Sequence, residues 1–493
     1  MAPTKEEDPD FSLLDARHSV VRYVATPVRS ANATGDVVDP RSGEVIRGHI
    51  NMYHGIMERL RWQLVSQAAT AHPDFRTARL SEEAMGEALR YVVSHEMAHA
   101  VGLPHNQRAN FAFPVDSIRD ADFVERMGHS ASSVGRTRFN YVAQPGDDVA
   151  PEREVGVWDE FAVMWGYRPI PGAETPEEEL GTLNEWIVER ADKPWYQSAQ
   201  AQFGMDVEWD PRRMTEGISD DPVRAAHYGM ANLETATENL VDWLLEEDWD
   251  DYYELETHYL QSLTQWNRYA EHAAAAVGGF NTHHKRAGQE GAVYEPLDRE
   301  EQLEAMAFID EHILSTPHWA LDRDLLGRLE HAGAVERVRA YQVMAVEQLL
   351  NHARLARLIE QEAFLGDEAY APAEMLDDAR EIVWREVQEG EPIDTYRRNL
   401  QRGYLDQAHH LLHEAESDSW QPPASGNLRV SRDDDPPLNA DLHIGHSDIR
   451  PLVRDQLHLL RDEVEEALEE APDRNTRIHL QDALVRIERA LED

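Results

Sequence analysis

There is no cysteine in this 493-residue chain. Disulfides and thiolate metal sites are therefore excluded, and any transition metal must be held by histidine and carboxylate. Lysine is almost missing too: Lys5, Lys193 and Lys285 are the only three among 47 basic residues. Against those 47 stand 94 acidic residues, for a formal net charge of −47. Such a surface repels polyanions, so nucleic-acid binding is excluded as the main activity. No apolar run is long enough to span a bilayer, so no membrane partner is expected. The opening residues, MAPTKEEDPDF, lack the basic and apolar regions of a signal peptide.

A chain this acidic could be disordered, but 41% of it is hydrophobic and long segments are periodic. The composition fits a folded protein with an acidic coat suited to high salt, where screening relieves self-repulsion, and hence a halophilic source. The length predicts two or three domains. Residues 1–172 begin with strand-like runs, SVVRYVA (Ser19–Ala25) and VVDPRSGEVIRGHI (Val37–Ile50), the second pair meeting at a DPRSG turn. A helix is expected over about Met52–Thr70, another from Ser81, then a mostly irregular stretch to about Pro171. Residues 173–221 read as a connector, 222–416 as an α-helical domain, 417–445 as a Pro-, Gly- and Asp-rich linker, and 446–493 as a helical pair. The fold class expected is α+β: a small twisted sheet and an active-site helix, then a large, mostly helical C-terminal region.

The chemistry concentrates in HEMAHAVGLPH: His95, Glu96, His99, Gly102 and His105. The preceding SEEAMGEALRYVVS reads as an amphipathic helix capped by Ser81, with Glu82 and Glu83 in its positive first turn. Residues i and i+4 share a helix face, so His95 and His99 can hold one Zn²⁺. Gly102 stands where the helix should stop and can turn the chain back, carrying His105 to the same metal as third ligand. One coordination position stays open for water, and Glu96 is placed as general base. His409 and His413 also stand at i, i+4, but no third ligand or glycine turn follows, so an exposed helix face is the better reading. Trp266, Trp319 and Trp384 sit in helical patterns and are expected in the core.

HExxHxxGxxH is the signature of the metzincin metalloproteases, and the chain resembles a narrower group: bacterial zinc-dependent metalloproteases with a Met-zincin domain. The resemblance is carried by RHSVVRYV, VVDPRSGEVIRGHI, VSHEMAHAVGLPHN, RFNYVAQPGD (Arg138–Asp147), FAVMWGYRPIP, QWNRY, STPHWALD and the last helical pair. It implies a zinc endopeptidase acting on polypeptides, with His95, His99 and His105 as ligands of one catalytic zinc and Glu96 as base. By analogy, a substrate strand would add at the sheet edge around Asp39–Gly43. The group is usually exported. Two features depart from its pattern. Where it carries a methionine turn, this chain reads Ser132, Ser133, Val134, Gly135, Arg136, with Val134 in place of the methionine and Arg136 in place of a tyrosine. The chain also begins partway into the protease fold, which leaves room for an N-terminal companion segment or domain. The altered turn motivates a second reading: a zinc-binding pseudoprotease or binding module on the same fold.

Overall fold

The computed structural model describes residues 6–13, 15–151, 155–201, 208–245, 251–413 and 447–492. The linker expected over 417–445 lies outside the described residues. The chain forms two compact units. The first comprises Met1–Ala201, Arg212–Ser262 and His284–Glu290; the second comprises Gln202–Pro211, Leu263–His283 and Gly291–Asp493. The first unit therefore runs on past the 221/222 boundary drawn from sequence.

In the first unit, β1 (Val20–Val24), β2 (Ala31–Val38) and β3 (Val45–Tyr53) form one sheet in the order β1-β3-β2. β1 runs parallel to β3, with Val20 opposite His49, and β2 runs antiparallel to it, with Ala33 opposite Ile50. β3 is central and mostly buried, as its VIRGHINMY sequence suits. β2 starts at Ala31, earlier than the sequence suggests, because ANATGD has few β-branched residues and is held by pairing with β3 rather than by propensity. Helix α1 (Ile56–Gln67) follows, burying Leu60, Leu64 and Val65. Then comes α2 (Glu82–Ala100), whose cap is the expected one: the Ser81 hydroxyl accepts the Ala84 N–H at 3.1 Å.

The stretch after α2 is less irregular than expected. It contains α3 (Ala121–Met127) and α4 (Val157–Tyr167). α4 escapes a periodicity reading because VWDEFAVMWGY is apolar almost all round, with Trp165 and Tyr167 left exposed. Further on are α5 (Pro176–Val188), α6 (Pro222–Glu238) and α7 (Leu240–Leu244). The α1–α6 packing explains why α6 belongs to the first unit.

Helix α8 (Tyr253–Ala276) is followed in the second unit by the short pair β4 (Phe280–Thr282) and β5 (Tyr294–Pro296). The rest of that unit is helical: α9 (Arg299–Phe308), α10 (Arg323–Leu329), α11 (Ala334–Leu349), α12 (His352–Leu365), α13 (Pro372–Glu389), α14 (Thr395–His413), α15 (Ile449–Glu469) and α16 (Arg474–Glu492). α13, α14, α15 and α16 pack on one another around Trp384, Leu400, Leu457, Val464 and Ile487, all fully buried. Trp266 is buried as expected and donates its indole N–H to the His312 carbonyl at 2.9 Å. The His413 ring meets the Ala490 carbonyl at 2.9 Å, so it helps dock α16 rather than standing in solvent. Among the described residues no helix is long and apolar enough to cross a membrane.

Two buried histidines make the fold acid-sensitive. Burial holds His258 down to about 3, and likewise His479, which stacks on Trp384. An unfolded histidine titrates near 6.5. Between those values the unfolded chain binds protons that the folded chain does not, so stability falls as pH falls through the window. The unfolding free energy from urea titrations in molar salt should be nearly flat from about pH 7.5 to 6.5 and then fall, approaching about 1.4 kcal/mol per pH unit for each such histidine by about pH 5. His479→Asn should make that slope shallower.

Candidate metal centre

The site is built on the C-terminal half of α2. His95 and His99 project from one face, and the chain then reverses at Gly102, whose φ of +96° is the left-handed conformation glycine favours. The Leu103 N–H closes the turn on the Ala98 carbonyl at 3.0 Å. This turn has two effects. It brings His105 back to the helix, and it points the Leu103 carbonyl at His99 Nδ1, 2.7 Å away. His95 Nδ1 meets the Ser133 carbonyl at 2.8 Å.

A carbonyl oxygen can only accept, so both Nδ1 atoms carry the proton and both Nε2 atoms present lone pairs. Those Nε2 atoms face each other. His99 Nε2 lies 3.1 Å from His95 Nε2 and 3.1 Å from His105 Nε2. Facing lone pairs repel at that distance unless a cation sits between them. Ligands at 2.0–2.1 Å around a tetrahedral zinc are themselves about 3.3 Å apart, so the donor set fits that ion. Burial reinforces it. His95 is pushed down to about 3 and His105 to about 4, and His99 is lowered as well, first by burial and then by its charged neighbours. The three rings are therefore neutral, the form that binds metal.

Glu96 is 7% exposed. Burial pushes its carboxyl up to about 7, against the opposing effects of the Ala33 N–H and of Arg138, Arg136 and Arg59. It shares a cleft of about 550 Å³ with the three histidines. The sheet edge on this cleft is the Ser30–Ala33 part of the chain, at the start of β2, rather than the Asp39–Gly43 turn.

The Ser132–Arg136 segment lies against this site as a tight turn. Val134 is fully buried, and its carbonyl accepts the Asn106 N–H at 3.1 Å, which fastens the His105 loop to the turn. Gly135 admits no side chain, because a Cβ there would lie 1.9 Å from Asn110 Oδ1. Asp159, at the start of α4, clamps the turn from below. It accepts the Ser132 hydroxyl at 2.5 Å, the Ser133 N–H at 2.7 Å and the Gly156 N–H at 2.8 Å. Sequence reasoning missed Asp159, since nothing local links it to a serine 27 positions earlier. Asp159→Ala should orphan these donors and free the carbonyl that orients His95. We expect a loss of roughly 2–4 kcal/mol in denaturant unfolding and a zinc affinity lower by about tenfold to a hundredfold.

The sequence model of the Met-zincin family matches residues 77–391. This chain belongs to the Met-zincin family. The matched region runs from just before α2 through α13 and contains the whole histidine cluster and its supporting turn. At family level the protein is thus of metalloprotease type, with a zinc metalloprotease-like fold. No curated protein and no solved structure matches the chain.

Proposed function

We propose that this Met-zincin is a zinc-dependent endopeptidase, with His95, His99 and His105 holding the ion and Glu96 as the catalytic base. The observation that carries this reading is the convergence of three Nε2 atoms, 3.1 Å apart across His99, beside a buried carboxylate in an open cleft. Zinc bound there supplies Lewis acidity, activating water and polarising a carbonyl. The chain's own residues do the rest. The Leu103 and Ser133 carbonyls fix the ring tautomers and orientations. The Glu96 carboxylate takes a proton from the attacking water and returns it to the leaving amine nitrogen. The start of β2 offers an open edge along which an extended peptide can lie.

Val134 and Arg136 favour a second reading, a zinc-binding protein without turnover. Hydrolysis of unfolded casein in molar salt with added zinc separates the two. Turnover by the parent that disappears in Glu96→Ala supports the endopeptidase. One tightly held zinc without turnover in either chain supports the alternative.

A further inference from the structure

The chain carries twice as many acidic as basic residues, and several arginines near the cleft find carboxylates. In the cleft Arg138 pairs with Glu216 at 2.8 Å; close to Arg59 in sequence, Arg61 pairs with Glu254 at 2.7 Å and Glu58 with Arg29 at 2.8 Å. Arg59 differs. It lines the cleft, yet among the described residues its guanidinium has no carboxylate in ion-pair range and makes one long hydrogen bond, 3.4 Å, to the Arg29 carbonyl. The positive charge of Arg138, and then burial, lowers it to about 10 against the opposing pull of Glu216, so it stays charged at neutral pH with carboxylates in electrostatic reach but none in ion-pair contact.

Two further groups on the same wall lack partners. The Tyr91 hydroxyl is buried, 3% exposed as a residue, and among the described residues nothing bonds it. Tyr91 stands one helical turn before His95 on α2, hence on the same face, and lies within electrostatic reach of Arg59. Gln63, one turn after Arg59 on α1, is likewise buried with its amide oxygen unbonded. A half-buried guanidinium with no ion-pair partner and a buried hydroxyl with no hydrogen-bond partner, side by side on one cleft wall, favour an anion that serves both. A planar carboxylate suits a guanidinium fork, with the phenol adding a third donor.

We propose that Arg59 and Tyr91 form a carboxylate-binding subsite of the cleft, which selects polypeptide substrates bearing an acidic group near the bond to be cut. The subsite rests on the endopeptidase reading. Its carboxylate comes from an Asp or Glu side chain or from the peptide's own C-terminus.

The test uses zinc-loaded full-length protein and matched peptides that differ only as Glu against Gln at each position flanking the cut, each made with a free and an amidated C-terminus. We expect kcat/KM for the Glu peptide, or for the free acid, to exceed that of its neutral twin by about tenfold or more at one position. In Arg59→Gln that ratio should fall to within about twofold, Arg59→Lys should restore part of it, and Tyr91→Phe should lie between. Preference tied to the side chain or to the free C-terminus identifies the source. Equal rates for every pair in the parent overturn the subsite, as does a preference unchanged by Arg59→Gln. Should no peptide be cut at all, the endopeptidase reading fails. The subsite is then read by calorimetric binding of the same Glu and Gln peptides to the parent and to Arg59→Gln. Tighter binding of the Glu peptide by the parent alone supports it, and no difference overturns it.

Discussion

A His99→Ala chain is expected to keep its fold and lose its tightly held zinc. His99 is the central ring of the cluster: its Nε2 stands 3.1 Å from both other Nε2 atoms. Its removal leaves His95 and His105 as a two-ligand site, and two neutral imidazoles do not hold zinc against dialysis. The loss should exceed the tenfold to hundredfold cost of disturbing a supporting hydrogen bond. The surface complicates the measurement, because 94 acidic residues bind divalent cations loosely. Dialysis in molar salt with excess calcium strips that population, since calcium prefers oxygen ligands and the imidazole site does not. After it, the parent should retain about one zinc per chain and His99→Ala none. Thermal unfolding gives an independent reading. A ligand that binds only the folded state stabilises it by about 2.7 kcal/mol at a hundred times its Kd. The parent should therefore melt lower after chelation and recover with zinc, while His99→Ala should melt at one temperature throughout. Equal zinc retention by the two chains would remove the basis for the whole site.

Much of this centre is legible in the amino-acid sequence, and the reason is local. The proposed ligands, the proposed base and the turning glycine lie within eleven consecutive residues, and Ser81 with its following glutamates marks where their helix begins. Helical geometry and one positive φ then determine where His105 goes. What supports those residues is distant in sequence and leaves no signal there. Asp159 reaches Ser132 and Ser133 from a helix that periodicity does not reveal. Arg59 and Tyr91 come together only because α1 and α2 line one cleft, and nothing in either helix alone marks them. The sheet is legible at β1, where β-branched residues dominate, and at β3, which opens with Val45 and Ile46 after the DPRSG turn. The first half of β2 is not, and that half is the part that borders the cleft. In the helical half, periodicity marks the helices but not the limits of the compact units, because such limits depend on which faces meet.

Glu96→Gln is expected to abolish casein hydrolysis while leaving zinc content and melting temperature close to the parent's. The substitution is nearly isosteric, so the 7%-exposed position stays filled and the neighbouring imidazoles keep their carbonyl partners. The amide, however, cannot accept a proton at any ordinary pH. General acid–base catalysis by one positioned group contributes about 10²–10⁴-fold, so kcat should fall by that factor, with KM altered much less. The surroundings of Glu96 suit the proposed task. Burial raises its proton affinity towards neutrality, where a base can both take and return a proton, while the Ala33 N–H and three nearby arginines keep it from becoming a permanently protonated acid. A purely structural carboxylate would behave in the opposite way: Glu96→Gln would change stability or zinc content and leave turnover per bound zinc unaltered. The ratio of turnover to zinc content, measured on the same samples, is therefore the quantity that assigns Glu96 its role.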